Sequence, residues 1–259
     1  MRGPHTCNRN GGVNSLEDKE RKYRHEQKYC CTKGQFEVIR NTIKGIMRTD
    51  PHANADGMYH IRSLYFDDMW DNCWRENEDG NNPREKFRIR IYNGSAERIN
   101  LELKRKENGK TQKLSCLLNR ENCMEILRTG KIPFDAQAPP LYQKFYVAGQ
   151  TKALGPKVIV AYDRTVYTYH SGNVRVTYDE NISSCTEIQS FLSPRLICRP
   201  VMKCGQGILE VKYDEFLPDH VYSALQFGEL REETFSKYYY CRKFVPGGPN
   251  SRTEKGAWL

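Results

Sequence analysis

The sequence predicts an antiparallel α+β fold with at least seven strands, and three observations predict it. Charged side chains on one parity and aliphatic ones on the other recur in separate stretches along most of the 259 residues. Residues two apart on a strand share a face, so Arg84, Lys86, Arg88 and Arg90 face one way while Ile89 and Ile91 face the other. Asn93-Gly94 between two such stretches is a hairpin signal. Apolar residues at helical spacing occupy the intervals between strands, and no repeat or low-complexity linker divides the chain.

Taken in order, a strand over 24–31 runs into Thr32-Lys33-Gly34-Gln35, the spacing of a capping box. Phe36, Ile39, Ile43 and Ile46 then repeat at helical spacing until Asp50-Pro51, which ends a helix packed on the outside of a sheet. A strand over 59–67 precedes a polar stretch with Asp79-Gly80 and Pro83. Strands follow over 84–92 and 98–106, joined by the Asn93-Gly94 turn, and over 113–118. Asn119 caps a short helix carrying Met124, Ile126 and Leu127 that stops at Gly130, and 141–148 forms another. Residues 157–169 and 173–179 make a long hairpin turning at Ser171-Gly172, and 207–213 is a further strand. Residues from about 218 to 242 read as helical, with Phe227, Leu230, Phe235 and Tyr238 or Tyr239 packing. Residues 1–20 read as a disordered leader, 21–245 as one domain and 246–259 as a flexible tail.

The 41 Lys and Arg against 32 Asp and Glu, a net charge of +9, favour an anionic partner such as nucleic acid, a phosphate polymer or anionic lipid. No transmembrane segment is apparent, and 1–20 lacks the apolar stretch of a signal peptide, so a cytoplasmic protein is expected. All ten cysteines are then expected to be reduced, small buried thiols. No Cys-x-x-Cys pair occurs, which speaks against zinc.

A solvated sheet face usually mixes both charge signs with Thr, Ser and Gln. Here the charged parity is dominated by Arg and Lys, and it recurs at Glu26 and Lys28, at Glu102, Lys104 and Lys106, at Tyr162 and Arg164, at Arg175, Thr177 and Asp179, and at Glu210 and Lys212. Like charges in a row are destabilising unless an anion lies among them. If the helices cover the apolar parity from outside, the charged parity faces a polar lumen, as a closed barrel permits. Arg donates paired hydrogen bonds to phosphate oxygens, and Lys supplies a compact charge. Glu26, Glu102 and Glu210 are either hard-metal ligands for Mg²⁺ or Mn²⁺ or ion-pair partners of the neighbouring cations. The basic residues interleave with aliphatics more than with aromatic stacking platforms, so nucleic acid is not the expected ligand. His25 faces away from the lumen by parity, and His60, His170 and His220 read as structural or exposed.

Seven motifs in order carry a family resemblance: Arg24-His25-Glu26-Gln27-Lys28-Tyr29, Ile61-Arg62-Ser63-Leu64-Tyr65-Phe66-Asp67, Lys86-Phe87-Arg88-Ile89-Arg90, Leu101-Glu102-Leu103-Lys104, Tyr162-Asp163-Arg164, Leu209-Glu210-Val211-Lys212 and Ser236-Lys237-Tyr238. Over about 22–243 the chain resembles the VTC domain, the polyphosphate polymerase domain of the vacuolar transporter chaperone complex, within the triphosphate tunnel metalloenzymes. The resemblance implies a closed antiparallel β-barrel with helices outside and a C-terminal helix at one mouth. It implies ATP and inorganic polyphosphate as partners, with Mn²⁺ or Mg²⁺ as cofactor. On it, Lys28, Arg88, Arg90, Lys104, Lys113, Lys212, Tyr162 with Arg164, and Ser236 look like phosphate ligands. Glu210 looks like the metal ligand, to which the strand pattern adds Glu102 and Glu26 as candidates, and Lys237 looks like the lysine needed for turnover, with Arg88 and Arg90 as further catalytic candidates. Arg24 stands where the wider superfamily begins a Glu-x-Glu-x-Lys strand, which speaks against a glutamate-rich two-metal hydrolytic site. The expected function is thus ATP-dependent polyphosphate polymerisation. The alternatives are a metal-dependent triphosphatase in the same tunnel and a non-catalytic polyphosphate- or RNA-binding module.

Overall fold

The computed structural model describes residues 23–50, 53–54, 57–225, 230–243, 245 and 248–249. The leader expected over 1–20 lies outside the described residues, as do Phe227 and all of the expected tail except Gly248 and Pro249. The elements are β1 (His25–Thr32), α1 (Lys33–Ile43), β2 (Arg48–Thr49), β3 (Met58–Asp67), α2 (Asn72–Glu78), β4 (Arg84–Tyr92), β5 (Ser95–Glu107) and β6 (Lys110–Leu118). They continue with α3 (Arg120–Thr129), α4 (Pro140–Lys152), β7 (Gly155–Tyr169), β8 (Val174–Cys185), β9 (Arg199–Pro200), β10 (Gln206–Tyr213), α5 (Asp219–Ala224) and α6 (Lys237–Lys243).

Every strand pair is antiparallel, in the order β1-β10-β8-β7-β3-β4-β5-β6, with β2 added to β7 and β9 to β8. The ladder is not continuous all the way round. Among the described residues, its edges β1 and β6 meet at a single bridge just before β1, where Arg24 and Thr111 exchange two backbone hydrogen bonds of 3.0 Å. Side chains add to this seam: Tyr23 donates to Glu107 at 2.7 Å, and Lys104 of β5 donates to Glu26 of β1 at 2.8 Å.

The apolar parity is buried against the helices. Ile89, Ile91, Leu101 and Leu103 pack with Ile126 and Leu127 of α3 and with Leu141 and Phe145 of α4. Val174, Val176, Leu209 and Val211 pack with Phe36, Ile39 and Ile43 of α1 and Val221 of α5. Helix α1 starts on its predicted capping box, Gln35 N–H donating to Thr32 Oγ1 at 3.2 Å and Thr32 N–H to Gln35 Oε1 at 2.8 Å. It ends at Ile43 rather than at Asp50-Pro51, because Ile46 and Met47 both turn back to the Ile43 carbonyl, which buries Met47 and leaves Ile46 at the surface.

A third cluster holds α6 against the end of the sheet. Val158 and Val160 precede Tyr162 on its own parity, and Ile208 precedes Glu210 on its own. These three cluster with Phe235, Tyr238 and Cys241. The face that is charged further along the strands is therefore apolar where α6 sits.

Three expectations need correction. The single helix expected over 218–242 is two short ones, because the chain before α6 pairs with β1: Glu232 bridges Tyr29, and Glu233 N–H donates to the Lys28 carbonyl at 2.8 Å. The polar stretch after β3 contains α2, whose first N–H groups are taken by Asp68 and Asp67: Asn72 N–H donates to Asp68 at 3.0 Å, and Cys73 N–H at 2.9 Å and Trp74 N–H at 3.0 Å to Asp67. The cysteines are not all reduced. Cys185 and Cys198 form a disulfide, brought together because β9 folds back on β8 with Arg199 opposite Ser184. No helix among the described residues is long and apolar enough to cross a membrane.

Candidate active site

The charged parities converge on one cavity of about 1190 Å³. Every cation expected to hold phosphate, from Lys28 round to Lys212 and Lys237, lines it, together with Tyr162, Ser236, Glu26 and Glu210. Glu102 does not line it. That carboxylate is 1% exposed and lies beneath the cations it holds. Arg88 donates to it at 2.7 Å and Lys113 at 3.0 Å, with Arg90 at 3.8 Å. Arg90 is fixed further by Ser63 and the Tyr162 hydroxyl, both at 3.0 Å, and Arg88 donates to the Tyr65 hydroxyl at 3.0 Å.

A second group forms around Asp179, which is fully buried. Arg164 grips it with two hydrogen bonds of 2.5 and 2.7 Å, and Lys237 of α6 approaches it at 2.5 Å. Sequence reasoning placed Asp179 on the lumen parity without a role; its role is to hold two of the site's cations. In the third group, Glu26 meets Lys28 and Lys104 at 2.8 Å and Lys212 at 3.5 Å, while Glu210 meets Lys212 at 3.2 Å and Arg164 at 3.4 Å. All three glutamates thus make ion pairs with the neighbouring cations.

The ionisable groups report a positive field. Burial pushes the Glu102 carboxyl up, but Arg88, Arg90 and Lys113 outweigh it and hold the group far below the carboxylate range. Burial likewise opposes ionisation of Asp179, and Arg164 and Lys237 reverse that. Glu210 is raised by burial and by Glu26, then brought below its ordinary value by Lys212, Lys28 and Lys237. Tyr65 is pushed up by burial, yet Arg88 and Arg90 bring it below the usual phenol value. Lys86 is depressed to about 8, chiefly by burial and with Arg84 adding repulsion.

Glu26 and Glu210 lie on paired strands, Lys28 opposite Glu210 and Lys212 opposite Glu26, and both carboxylates meet Lys28 and Lys212. Both are held ionised below the ordinary carboxylate value, by Lys104, Lys212 and Lys28 at Glu26 and by Lys212 and Lys28 at Glu210. No group of three or more His, Cys, Asp or Glu gathers among the described residues. This donor set fits a hard cation that takes one or two carboxylates and completes its shell with phosphate oxygens and water, rather than an all-protein cage.

Matching over residues 23–245, the profile of the VTC domain covers nearly all of the elements just described. The chain belongs to the VTC domain family. No curated protein matches it. Among solved structures, it is similar to a putative adenylyl cyclase from Hippeastrum, described as having a dominant triphosphatase activity, with 10% identity, a TM-score of 0.50, and coverage of 85% of this chain and 95% of that one. A putative adenylate cyclase from Bacillus halodurans shows 12% identity at a TM-score of 0.45, covering 90% and 98%.

Within this VTC domain, Tyr238, Tyr239, Tyr240, His25 and His60 have structural partners. Tyr238 donates to Asp67 at 2.5 Å, Tyr239 stacks on Trp74 and Tyr240 on Phe235, so the three tyrosines before Cys241 pack. His25 stacks on Tyr213 away from the lumen, and His60 is an exposed partner of Asp163. Tyr65, Arg84, Lys86 and Lys106 line the cavity without having been assigned a role from sequence, although the last three share a parity with residues that were and Tyr65 lies opposite Arg88.

Proposed function

We propose that this VTC domain is an ATP-dependent polyphosphate polymerase that transfers the γ-phosphoryl group of ATP to the end of an inorganic polyphosphate chain. The observation that carries the reading is the gathering of Lys28, Arg88, Arg90, Arg164 and Lys237 on one cavity, each held in place by a buried carboxylate. Phosphoryl transfer asks little covalent chemistry of a protein and much positioning and charge stabilisation. A terminal phosphate oxygen of the acceptor forms the new bond to the γ-phosphorus. The bond from that phosphorus to the β,γ-bridging oxygen breaks, and ADP leaves with the electron pair. The acceptor oxygen is already anionic at neutral pH, so no general base is required, in keeping with a lumen whose described histidines lie elsewhere. Arg88 and Arg90 hold the transferred group, and Lys237 meets the charge that develops on it. Glu210 and Glu26 would hold Mn²⁺ or Mg²⁺. When bound, the ion neutralises phosphate oxygens and aligns them.

Incubation with ATP and Mn²⁺, followed by a gel stained for polyphosphate, tests the reading, and chains are expected. Phosphate release without chain growth supports the second reading, a triphosphatase with water as nucleophile, which the described activity of the Hippeastrum fold neighbour favours. Binding without either product leaves a non-catalytic module.

A further inference from the structure

Asp67, the last residue of β3, is a fully buried carboxylate with no Lys, Arg or His at ion-pair distance among the described residues, and Lys86 acts on it from further away. It accepts from the N–H groups of Asp68 at 2.9 Å, Cys73 at 2.9 Å and Trp74 at 3.0 Å, and from the Tyr238 hydroxyl at 2.5 Å. Burying an ionised group is costly unless hydrogen bonds offset it. Packing does not ask for this one. Tyr238 is 1% exposed, its ring stacks on Tyr65 at 5.3 Å, and the Lys86 ammonium lies 5.2 Å over its face. A phenylalanine would make both ring contacts, so the hydroxyl and its buried acceptor serve something else.

Lys237 and Tyr238 open α6, and consecutive residues of a helix point about 100° apart. Lys237 turns toward β8, where Asp179 meets it at 2.5 Å, and Tyr238 turns toward β3. Those two strands lie on either side of β7, so the start of the helix is held from two directions. Its other contacts grip the backbone and the far end: Trp74 Nε1 donates to the Tyr239 carbonyl at 3.2 Å, Ser184 Oγ to the Cys241 carbonyl at 2.9 Å, and Arg242 meets Asp71 at 3.1 Å. We propose that Tyr238 is a positioning residue, whose hydrogen bond to Asp67 sets the rotation of α6 that aims Lys237 at the transferred phosphoryl group. It rests on the reading of Lys237 as the lysine of turnover. Burial and the Asp67 carboxylate hold the Tyr238 phenol well above its ordinary value, so it stays a donor through the neutral range. Without that bond, Asp179 would aim the lysine by itself while also holding Arg164 through two hydrogen bonds.

The test reads turnover as ADP release at saturating ATP with Mn²⁺, and ligand affinity as tripolyphosphate binding, both on the full chain. Tyr238→Phe keeps the ring and is expected to lower turnover about 10-fold, the scale of a slightly misplaced group, with tripolyphosphate affinity kept within about twofold. The deciding arm adds Lys237→Ala. A residue that acts through Lys237 then has nothing left to position, so the double variant is no slower than Lys237→Ala alone. Tyr239→Phe removes from the same helix a hydroxyl bonded to Glu78 at 3.2 Å and leaves turnover unchanged. Wild-type turnover in Tyr238→Phe overturns the proposal. So does an equal loss in the Lys237→Ala background, which would make the bond a general support of the fold. If Tyr238→Phe does not fold, Asp67→Asn, which keeps an oxygen acceptor without the charge, goes through the same cycle with the same two overturning results. A wild type that neither releases ADP nor makes chains on the stained gel removes the underlying reading and this role with it. An active wild type with an additive cycle removes the role of Tyr238 alone.

Discussion

The two walls of the lumen follow different rules. The wall built by β1, β10, β8 and β7 alternates sign: Glu26 beside Lys28, Glu210 beside Lys212, and Asp179 facing Arg164, all linked by contacts of 2.5 to 3.9 Å. The wall built by β4, β5 and β6 sets Arg84, Lys86, Arg88 and Arg90 along one strand, with Glu102 as the carboxylate beneath Arg88, Arg90 and Lys113. The mixed wall satisfies itself and so fixes the positions of its own cations. On the cationic wall one carboxylate serves Arg88, Arg90 and Lys113, and Arg84 and Lys86 have none at ion-pair distance among the described residues. Carboxylates are therefore concentrated in one wall and cations in the other.

The largest expected effect breaks the mixed wall. Asp179→Ala leaves Lys237 without its buried partner and Arg164 with only the longer contact to Glu210 at 3.4 Å, and removing one member of a buried ion pair costs about 3–5 kcal/mol. Denaturant unfolding measures it, and a loss well under 1 kcal/mol would show that the lumen solvates these cations by itself. Because the folded-state pKa of Asp179 is depressed by Arg164 and Lys237 against burial, its contribution is present above the ordinary carboxylate value of about 3.9 and is lost as pH falls through the folded value. Wild-type stability should accordingly decline on acidification below about pH 4, more steeply than that of Asp179→Asn.

Next in size is Lys237→Ala, which separates structure from chemistry within the same group. Lys237 is the α6 residue that reaches Asp179, and Arg164 still holds that carboxylate when Lys237 is gone. Turnover is expected to fall about 10²–10³-fold, the scale of losing one preorganised charge donor, with a much smaller change in tripolyphosphate affinity. Equal losses in turnover and affinity would make Lys237 a ground-state ligand and nothing more.

The walls also differ in how much of them the sequence disclosed. The parity of Arg88, Arg90, Lys104 and Glu210 was legible because a two-residue period is a property of any strand, and Ile89, Leu101 and Val211 on the other parity are buried as it requires. Which acid holds which cation was not legible: Lys104 and Glu26 meet across the seam between β5 and β1, and Lys237 and Asp179 are brought together only by α6. Helix α2 escaped notice because Trp74 is its single buried side chain and its N-terminus is held by Asp68 and by Asp67, a residue of β3. The segment before α6 looked helical because its apolar residues have helical spacing, but Glu232 and Glu233 pair with β1, a long-range contact that local periodicity cannot express. The Cys185–Cys198 disulfide likewise depends on the β8–β9 pairing.

The smallest effect sharpens the comparison most, because its sign is opposite. On the cationic wall Lys86 has Asn77 and the ring of Tyr238 as its contacts, and burial depresses it to about 8. A lysine whose folded-state value lies below its unfolded value of about 10.4 destabilises the fold while it is charged in both states. Between about pH 8 and 10 the unfolded chain binds more protons than the folded one, so the penalty shrinks as pH rises through that window. Lys86→Met should therefore raise stability at pH 7 by about 1–2 kcal/mol after allowance for partial exposure. The gain should diminish toward pH 10, where the wild type catches up. Calorimetric melting of both proteins at pH 7 and pH 9.5 measures the difference, and a variant less stable than wild type at pH 7 would place Lys86 among the structural cations and make the two walls alike.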